Sequence, residues 1–313
     1  MTLHTLSPAP HTLHGTFARD RSPVLVVNPG DTVRFADTLD VSWGMEPPTD
    51  EVSPRAKWEP REDGPALHGP VAIRGARPGQ TLAVHIEAVR PCAWGWTYAG
   101  GPSMFSDDLN QALGLGEETI QLRWALDRDA MTGTNQHGHV VKLRPFLGML
   151  GMPGPEDGPQ SAWSPRATGG NMDCKELVAG SVLFLPIAVE GGLVSVGDGH
   201  AVQGDGEVSG MAIETRMDHV DLRFELLDDM PIATPHVRTA TGWATLGFGE
   251  DLDAAIATAL NAMVDLIARE ERMPRAQALG LASLVVDLRI TQLVNGVRGV
   301  HAFWPHGSIG RAT

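Results

Sequence analysis

Short apolar runs that end in turn residues recur through the first two hundred residues of the chain. Residues 23–28 form an apolar run closed by a Pro-Gly pair, and apolar and polar residues alternate over 31–35. A proline followed by a glycine suits the centre of a type II turn, and the alternation suits a half-buried strand. The same arrangement returns at 71–88 and 179–196. Strands at this spacing predict a β-sandwich or a β-barrel.

The last quarter of the chain changes to a helical period. One predicted helical face is formed by Leu252, Ile256, Leu260, Met263 and Ile267. Asp251 and Asp253 at the start of this segment and Arg269 near its end suit the helix dipole. Pro274 ends the helix and can open a second one over residues 275–286.

A hairpin is predicted after the second helix. The apolar runs 290–294 and 297–303 flank Asn295-Gly296, and this dipeptide favours a tight turn because both of its residues tolerate positive φ. The predicted fold class is therefore α+β and β-dominated. It has a sandwich-like or barrel-like body and a C-terminal α+β portion made of two helices and a β-hairpin.

Three parts are expected along the chain. Residues 1–110 form an N-terminal β-rich domain, residues 111–220 a central β-rich domain, and residues 221–313 the C-terminal α+β portion. The 313 residues are 42% hydrophobic, so the chain can bury a substantial core without disulfides.

Charge and cysteine content exclude several classes of protein. The chain has 38 acidic and 24 basic residues, which opposes a nucleic-acid partner. Cys92 and Cys174 lie far apart without CxxC spacing, so we expect free thiols and a cytoplasmic location. The N-terminus has no basic stretch before an apolar run, so no secretory signal is predicted. No apolar stretch approaches the roughly eighteen residues of a membrane span.

Candidate chemistry concentrates in residues 197–207, where four glycines separate three acids and a histidine. Glycines at this density allow positive φ and leave space beside the backbone for a ligand. Asp198 and His200, two residues apart, project from one side of an extended segment. Carboxylate and imidazole together suit Zn²⁺, and carboxylates alone suit Ca²⁺. The alternative is a polar turn whose acids bind their own backbone amides.

Two further acids extend this candidate site. Asp173 ends the segment Gly-Gly-Asn-Met-Asp, and Glu214 lies in the mostly apolar segment 208–214, which we predict to be a strand. A carboxylate in such a strand is costly unless it is partnered, which makes Glu214 a candidate ligand or base. An outward-facing position is the alternative for Glu214.

Several segments of this chain resemble the acetamidase/formamidase family, in the same order. They include PFLGMLGMPG, GGNMDCKEL, GDGHAVQGDGE and DLRITQLVNGVRGVHAFWP, and weaker similarity extends to the N-terminal strands. The resemblance implies hydrolysis of formamide, acetamide or similar short linear amides to the acid and ammonia. It also implies bound divalent cations, a dimeric or higher homo-oligomeric assembly, and a β-rich fold with an added α/β part. The chain departs from the family pattern at residues 64–70, 95–116 and 305–307.

Amide hydrolysis needs a nucleophile, oxyanion stabilisation and an acid that protonates the departing ammonia. A metal-activated water meets the first need, and the metal meets part of the second. The residues that we predict as ligands of a zinc or calcium ion are Asp173, Asp198 and His200. The residues that we predict as catalytic proton carriers are Asp205, Glu207 and Glu214.

Rival interpretations remain open at this point. Cys174 could act as a nucleophile, although a buried thiol without a catalytic partner is the commoner role. A catalytically silent family member that binds a metabolite or a metal is the alternative function. A copper electron carrier is disfavoured because neither cysteine has a ligand histidine close by in sequence. Further candidate ligands, each equally typical of an ordinary polar position, are His4, His11, His14, Asp40, His137 and His139.

Overall fold

The computed structural model describes residues 1–47, 55–56, 62–101, 107–115 and 118–310. Its strands are β1 (Leu3–Leu6), β2 (Leu13–His14), β3 (Thr16–Phe17), β4 (Leu25–Val27), β5 (Thr32–Ala36), β6 (Gly44–Glu46), β7 (Arg55–Ala56), β8 (Leu67–Ile73), β9 (Thr81–Pro91), β10 (Trp94–Gly100), β11 (Thr119–Asp127), β12 (Thr132–Asn135), β13 (Val140–Lys142), β14 (Phe146–Gly151), β15 (Gln160–Ser161), β16 (Gly169–Asn171), β17 (Val182–Pro186), β18 (Val194–His200), β19 (Met217–Leu227), β20 (His236–Arg238), β21 (Gly242–Gly249), β22 (Asp287–Gln292) and β23 (Arg298–Pro305). Its helices are α1 (Asp107–Ala112), α2 (Leu252–Glu270) and α3 (Arg275–Val285).

Two sheets enclose the main core. The larger has nine strands in the order β1-β5-β19-β9-β17-β20-β21-β23-β22, and the smaller has the order β16-β14-β18-β8-β2, with β4 also paired to β8. Phe35 and Phe224 from the larger sheet and Phe146 and Val196 from the smaller one share a single buried cluster. This packing confirms the predicted β-dominated sandwich. The larger sheet takes strands from residues 1–110, 111–220 and 221–313 alike.

The C-terminal helices lie on the outer face of the larger sheet. Helix α2 begins after Asp251, whose carboxylate accepts a hydrogen bond from the backbone N–H of Ala254 at 2.8 Å. The apolar side of α2 and α3 packs against β21 and β23, with Val300 and Ala302 in the shared cluster. Both predicted helices are therefore confirmed. Among the described residues, no helix has the length and apolarity needed to cross a membrane.

The predicted hairpin is present, but its turn is longer than two residues. Strands β22 and β23 pair antiparallel, with Leu288 opposite Ala302 and Ile290 opposite Val300. The connection spans residues 293–297, and Gly296 has a φ of 75° while Asn295 keeps a negative φ. A two-residue turn with positive φ at both Asn295 and Gly296 was therefore wrong, and a β-bulge between Ile290 and Gln292 accompanies the longer connection.

Residues 208–214 are not a strand, which corrects the sequence prediction. The backbone N–H of Gly210 donates to Glu207 O at 2.7 Å and turns the chain at this point. Only Glu214 pairs in β fashion, through isolated bridges to Trp96 of β10 and to His200 of β18. The early turn prevents a continuous ladder, and it brings the Glu214 side chain back towards the end of β18.

Candidate metal centre

The centre is built on the pairing of β14 with β18 in the smaller sheet. Asp198 and His200 lie on β18 with side chains only 5% and 1% exposed. The alternate residue Gly199 is pressed against the chain behind it, because a Cβ there would lie 2.4 Å from the backbone oxygen of Thr215. The strand therefore carries functional side chains on one side and close backbone packing on the other, which is the physical basis of the Gly-Asp-Gly-His pattern.

Three more acids converge on this pair from irregular segments. Asp173 follows β16, Glu207 lies in the turn after β18, and Glu214 ends the segment beyond it. Two groups, each with potential ligand atoms within 4.8 Å of one another, share His200. They are the group Asp173, Asp198 and His200, and the group His200, Glu207 and Glu214.

Distances within the centre are short. His200 Nε2 lies 3.1 Å from Asp198 Oδ1 and 3.3 Å from Glu214 Oε2. A Cβ placed on Gly148 of β14 would lie 2.3 Å from Asp198 Oδ2 and 2.4 Å from Asp173 Oδ1. The two carboxylates thus pack so closely against Gly148 that any larger residue at this position would clash with them.

Burial dominates the electrostatics of the centre. It raises the pKa of Asp173 to about 7 and that of Asp198 to about 6, and the charge of Asp198 adds to the effect on Asp173. Burial and the neighbouring Asp173 raise the pKa of Glu207 well above its ordinary range. Burial alone would lower the pKa of His200, but the carboxylates of Asp198 and Glu214 outweigh it and raise this pKa well above its ordinary value.

The residues present fit a divalent cation. Four buried carboxyl groups surround one imidazole, which leaves an excess of negative charge away from water. Among the described residues, Asp173 Oδ1, Glu207 Oε2 and Glu214 Oε2 have no hydrogen-bond partner. Buried unpaired carboxylate oxygens are costly unless they bind a cation or take up protons.

Two amide side chains hold the ligand candidates in place. Gln203 Nε2 donates to the backbone oxygen of Asp173 at 3.0 Å, so its Oε1 faces His200 Nδ1 at 2.9 Å. His200 Nδ1 must therefore be the donor, which leaves Nε2 facing the carboxylates as a potential ligand. Asn295 Nδ2 donates to Asp173 Oδ2 and, at 3.0 Å, to the backbone oxygen of Asn171.

Neither amide was predicted from the sequence as part of the site. Gln203 could have been predicted, since it lies three residues after His200 in the same glycine-rich segment. Asn295 could not have been predicted, because the Asn-Gly turn already accounted for an asparagine at this position.

Asp205 lies outside both ligand groups. Its carboxylate pairs with Lys175 Nζ at 2.7 Å, and its side chain is 27% exposed. Cys174 is fully buried, and burial raises the pKa of its thiol to about 12, so the thiolate is disfavoured.

The remaining candidate ligands make contacts of their own. Asp40 accepts hydrogen bonds from Trp96 Nε1 at 2.8 Å and from the Gly44 N–H at 2.6 Å. His14 is buried and bonds Thr16 O and Ser195 Oγ, whereas His4 lies 3.2 Å from Asp31. Three of the candidate histidines, His11, His137 and His139, are exposed. Neither ligand group includes any of these candidates.

Comparison with known proteins places similar sequences in one family of amidases. Residues 156–300 match the sequence model of the Acetamidase/Formamidase family. An acetamidase of Mycolicibacterium smegmatis is 26% identical over 215 residues, which cover 51% of this chain and 53% of that protein. A formamidase of Methylophilus methylotrophus is 38% identical over 65 residues, or 21% of this chain and 16% of that protein. The chain thus spans about half the length of these relatives, or less.

A solved structure extends the similarity to the whole fold. The crystal structure of an acetamidase from Bacillus halodurans superposes with a TM-score of 0.82 and 25% sequence identity, covering 96% of this chain and 97% of that one. The matched residues 156–300 contain Asp173, Asp198, His200, Glu207 and Glu214. The family resemblance predicted from the sequence is therefore confirmed, in sequence over residues 156–300 and in fold over nearly the full chain: this protein is similar to the acetamidases and formamidases.

Proposed function

We propose that the protein is an amidase that hydrolyses the C–N bond of short linear amides, such as formamide or acetamide, to the carboxylic acid and ammonia. The observation that carries the proposal is the buried centre of four carboxyl groups and one histidine, three of whose carboxylate oxygens lack partners. The family similarity supplies the reaction class.

Asp173, Asp198 and His200 would hold a divalent ion, with zinc or calcium the best match to these donors. When bound, such an ion supplies Lewis-acid chemistry and activates a water molecule for attack on the amide carbonyl. Gln203 keeps the His200 Nδ1 atom protonated and so presents Nε2 to the ion.

Glu207 is the best-placed proton carrier. Burial and the neighbouring Asp173 raise the pKa of its carboxyl group, which favours the protonated form, and this proton could pass to the departing amide nitrogen. Glu214, whose Oε1 accepts from the Ala212 N–H at 2.8 Å while Oε2 faces His200, is the second candidate. Asp205 could contribute only from outside the centre, because Lys175 holds its carboxylate.

Ammonia release from formamide and acetamide tests this proposal. We expect activity that is lost on chelation and restored by the metal. His200→Ala and Glu207→Gln should each lose about a hundredfold or more. Asp205→Asn is the matched control for an acid outside the centre, and Cys174→Ala should stay within about tenfold of wild type, roughly 1.4 kcal/mol of barrier.

Other outcomes would redirect the assignment. Metal binding without ammonia release from either amide would indicate the catalytically silent, metal-binding alternative. Complete loss of activity in Cys174→Ala with an intact circular dichroism spectrum would transfer the chemistry to the thiol.

Two broader properties belong to the same proposal. We infer a cytoplasmic location, supported by two cysteines that are free and buried. We also infer a homodimer or higher homo-oligomer, which the family resemblance implies.

A further inference from the structure

The outer edge of β22, the last strand of the larger sheet, is covered at its two ends and open between them. Beyond Ile290, the edge is covered by Gly206. The Gly206 N–H donates to Thr291 O at 3.1 Å, and the Gly206 oxygen accepts from the Leu293 N–H at 3.1 Å. Before β22, helix α3 ends at Val285, and the N–H of Val286 still bonds Ala282 O. The open edge therefore spans residues 286–290.

The backbone groups that face outward along this edge can be identified. Backbone N–H and C=O groups switch sides with a period of two residues along a strand. The His306 N–H donates to Thr241 O, so even-numbered residues of β23 direct their backbone groups to β21 and odd-numbered ones to β22. Asp287 and Arg289, which lie opposite Phe303 and His301, therefore direct their backbone groups to β23, and Leu288 and Ile290 direct theirs outward. In the part of the chain that the structure describes, no strand pairs with them.

The side chains along the open edge form a self-complementary pattern. Leu288 and Ile290 are 47% and 39% exposed, and Asp287 and Arg289 point to the opposite face. Residues 286–290 thus alternate as apolar, acidic, apolar, basic, apolar. Reversing the direction of this sequence exchanges the acid with the base and leaves the apolar positions in place.

We propose that a second copy of the chain pairs antiparallel with this edge about a two-fold axis through Leu288. Asp287 then lies opposite Arg289 of the partner subunit, and Arg289 lies opposite the partner's Asp287. The outward backbone groups of Leu288 can exchange hydrogen bonds with those of its own copy. The two pairs of opposite charge then occupy non-hydrogen-bonded positions, where side chains are closest.

The edge itself selects this register. A slip by one residue sets outward-facing backbone groups against inward-facing ones, so the hydrogen bonds are lost. A two-fold axis through residue 287 or 289 places Asp against Asp or Arg against Arg, and like charges directly opposite are destabilising. Longer slips run the strand into α3 or into Gly206.

The pairing also removes a liability of the single chain. An open strand edge with exposed apolar side chains is a template for uncontrolled association. Two-fold pairing buries this edge in both subunits and leaves none exposed for further chains. The surface gives the inferred homodimer a location, but it rests on none of the residues assigned to amide hydrolysis.

Charge exchange across the axis tests the proposal. Asp287→Lys alone and Arg289→Glu alone each place like charges across the axis, so each variant should raise the dimer dissociation constant by about tenfold or more in sedimentation equilibrium. In an equimolar mixture of the two variants, the heterodimer pairs the introduced lysine with the introduced glutamate at one position and keeps the native Arg289–Asp287 pair at the other, so association should return to near the wild-type value. Asp229→Lys, an exposed acid after β19, is the matched control and should associate as wild type.

The result separates the surface from the homodimer itself. Circular dichroism and thermal unfolding establish that each variant is folded, since Arg289 also contacts Glu176 and the Phe303 ring. A dimer whose association neither variant alters, or a mixture that stays as weak as the single variants, overturns this surface. A wild-type chain that remains monomeric across the micromolar range overturns both the surface and the homodimer. None of these results depends on ammonia release, so the proposed function is tested separately.

Discussion

The amide of Asn295 is the point at which the C-terminal hairpin contacts the candidate metal centre. Its two N–H groups reach the Asp173 carboxylate and the backbone of Asn171, which fixes both the position and the rotamer of Asp173. Residues of this kind, which hold a ligand and do not bind the metal, commonly change metal affinity by about 10- to 100-fold.

We therefore expect Asn295→Ala to weaken zinc or calcium binding by about tenfold or more, measured by competition with a chelator. Asn295→Asp should weaken it further, because an acceptor then faces the Asp173 carboxylate. Asn135→Ala is the matched control, since that asparagine organises a turn around His139. Unchanged metal affinity in Asn295→Ala would show that the contact is structural only.

His236 predicts a pH dependence of stability. Burial lowers its pKa to about 4, with Arg269 adding to the effect, while the Thr234 carbonyl accepts from its Nδ1 at 2.8 Å. The unfolded state, with an ordinary histidine pKa near 6.5, binds a proton at a higher pH than the folded state. Its contribution to stability is therefore complete above about pH 6.5 and falls as the pH drops towards 4, by at most on the order of 3 kcal/mol.

His236→Asn offers the measurement, since an asparagine N–H can replace the bond to Thr234. Urea unfolding at pH 7 and pH 4.5 should show the wild type losing stability relative to the variant as the pH falls. A difference between the two proteins that stays constant with pH would contradict the depressed pKa.

How much of the centre the sequence could predict depends on how each residue is held. Asp198 and His200 were identifiable because their strand separates them with glycines, a local pattern. Asp173 and Glu214 could be named individually, but their convergence depends on the turn at Gly210 and on the pairing of β14 with β18. Asn295 is brought in by tertiary packing alone, which a single sequence does not encode locally.

At the scale of elements, periodic segments were the most predictable. The face of α2 recurs over 19 residues and is bounded by a capping acid and a proline, so pattern, cap and terminator agree. Segment 208–214 is too short to combine a repeating pattern with start and stop signals in this way. Its apolar content suited a strand, but one turn bond and the partnering of Glu214 determined its path.

The cap of α2 gives a stability prediction. Asp251→Ala should lower the free energy of unfolding by about 1 kcal/mol, because the Ala254 N–H loses its acceptor. Asp253→Ala removes the same charge from the same turn without removing a cap, and it should cost a few tenths of a kcal/mol. Urea unfolding of both variants checks the difference. Equal losses would mean that charge alone, not the cap bond, stabilises this helix end.

At the scale of the molecule, the larger sheet joins the ends of the chain. Its strand order runs from β1 through β19 and β9 to β23 and β22, so most neighbours are distant in sequence. Strand content and fold class followed from local patterns, but this order did not, because pairing partners are selected by burial across the sandwich. The same order places the candidate metal centre, the Gly206 turn and the open edge of β22 in contact with one hairpin.

That hairpin follows the five ionisable groups of the centre in the chain, so it leaves the ribosome after them. A nascent chain can pair β14 with β18 and gather all five ionisable groups of the centre, but it lacks the Asn295 amide and the Thr291 and Leu293 backbone that anchors the 205–207 turn. Translation from the N-terminus thus allows the acids to come together first, and the contacts of Asn295, Thr291 and Leu293 that hold them in place form afterwards. We therefore expect the proposed ion to bind only after this hairpin has been synthesised.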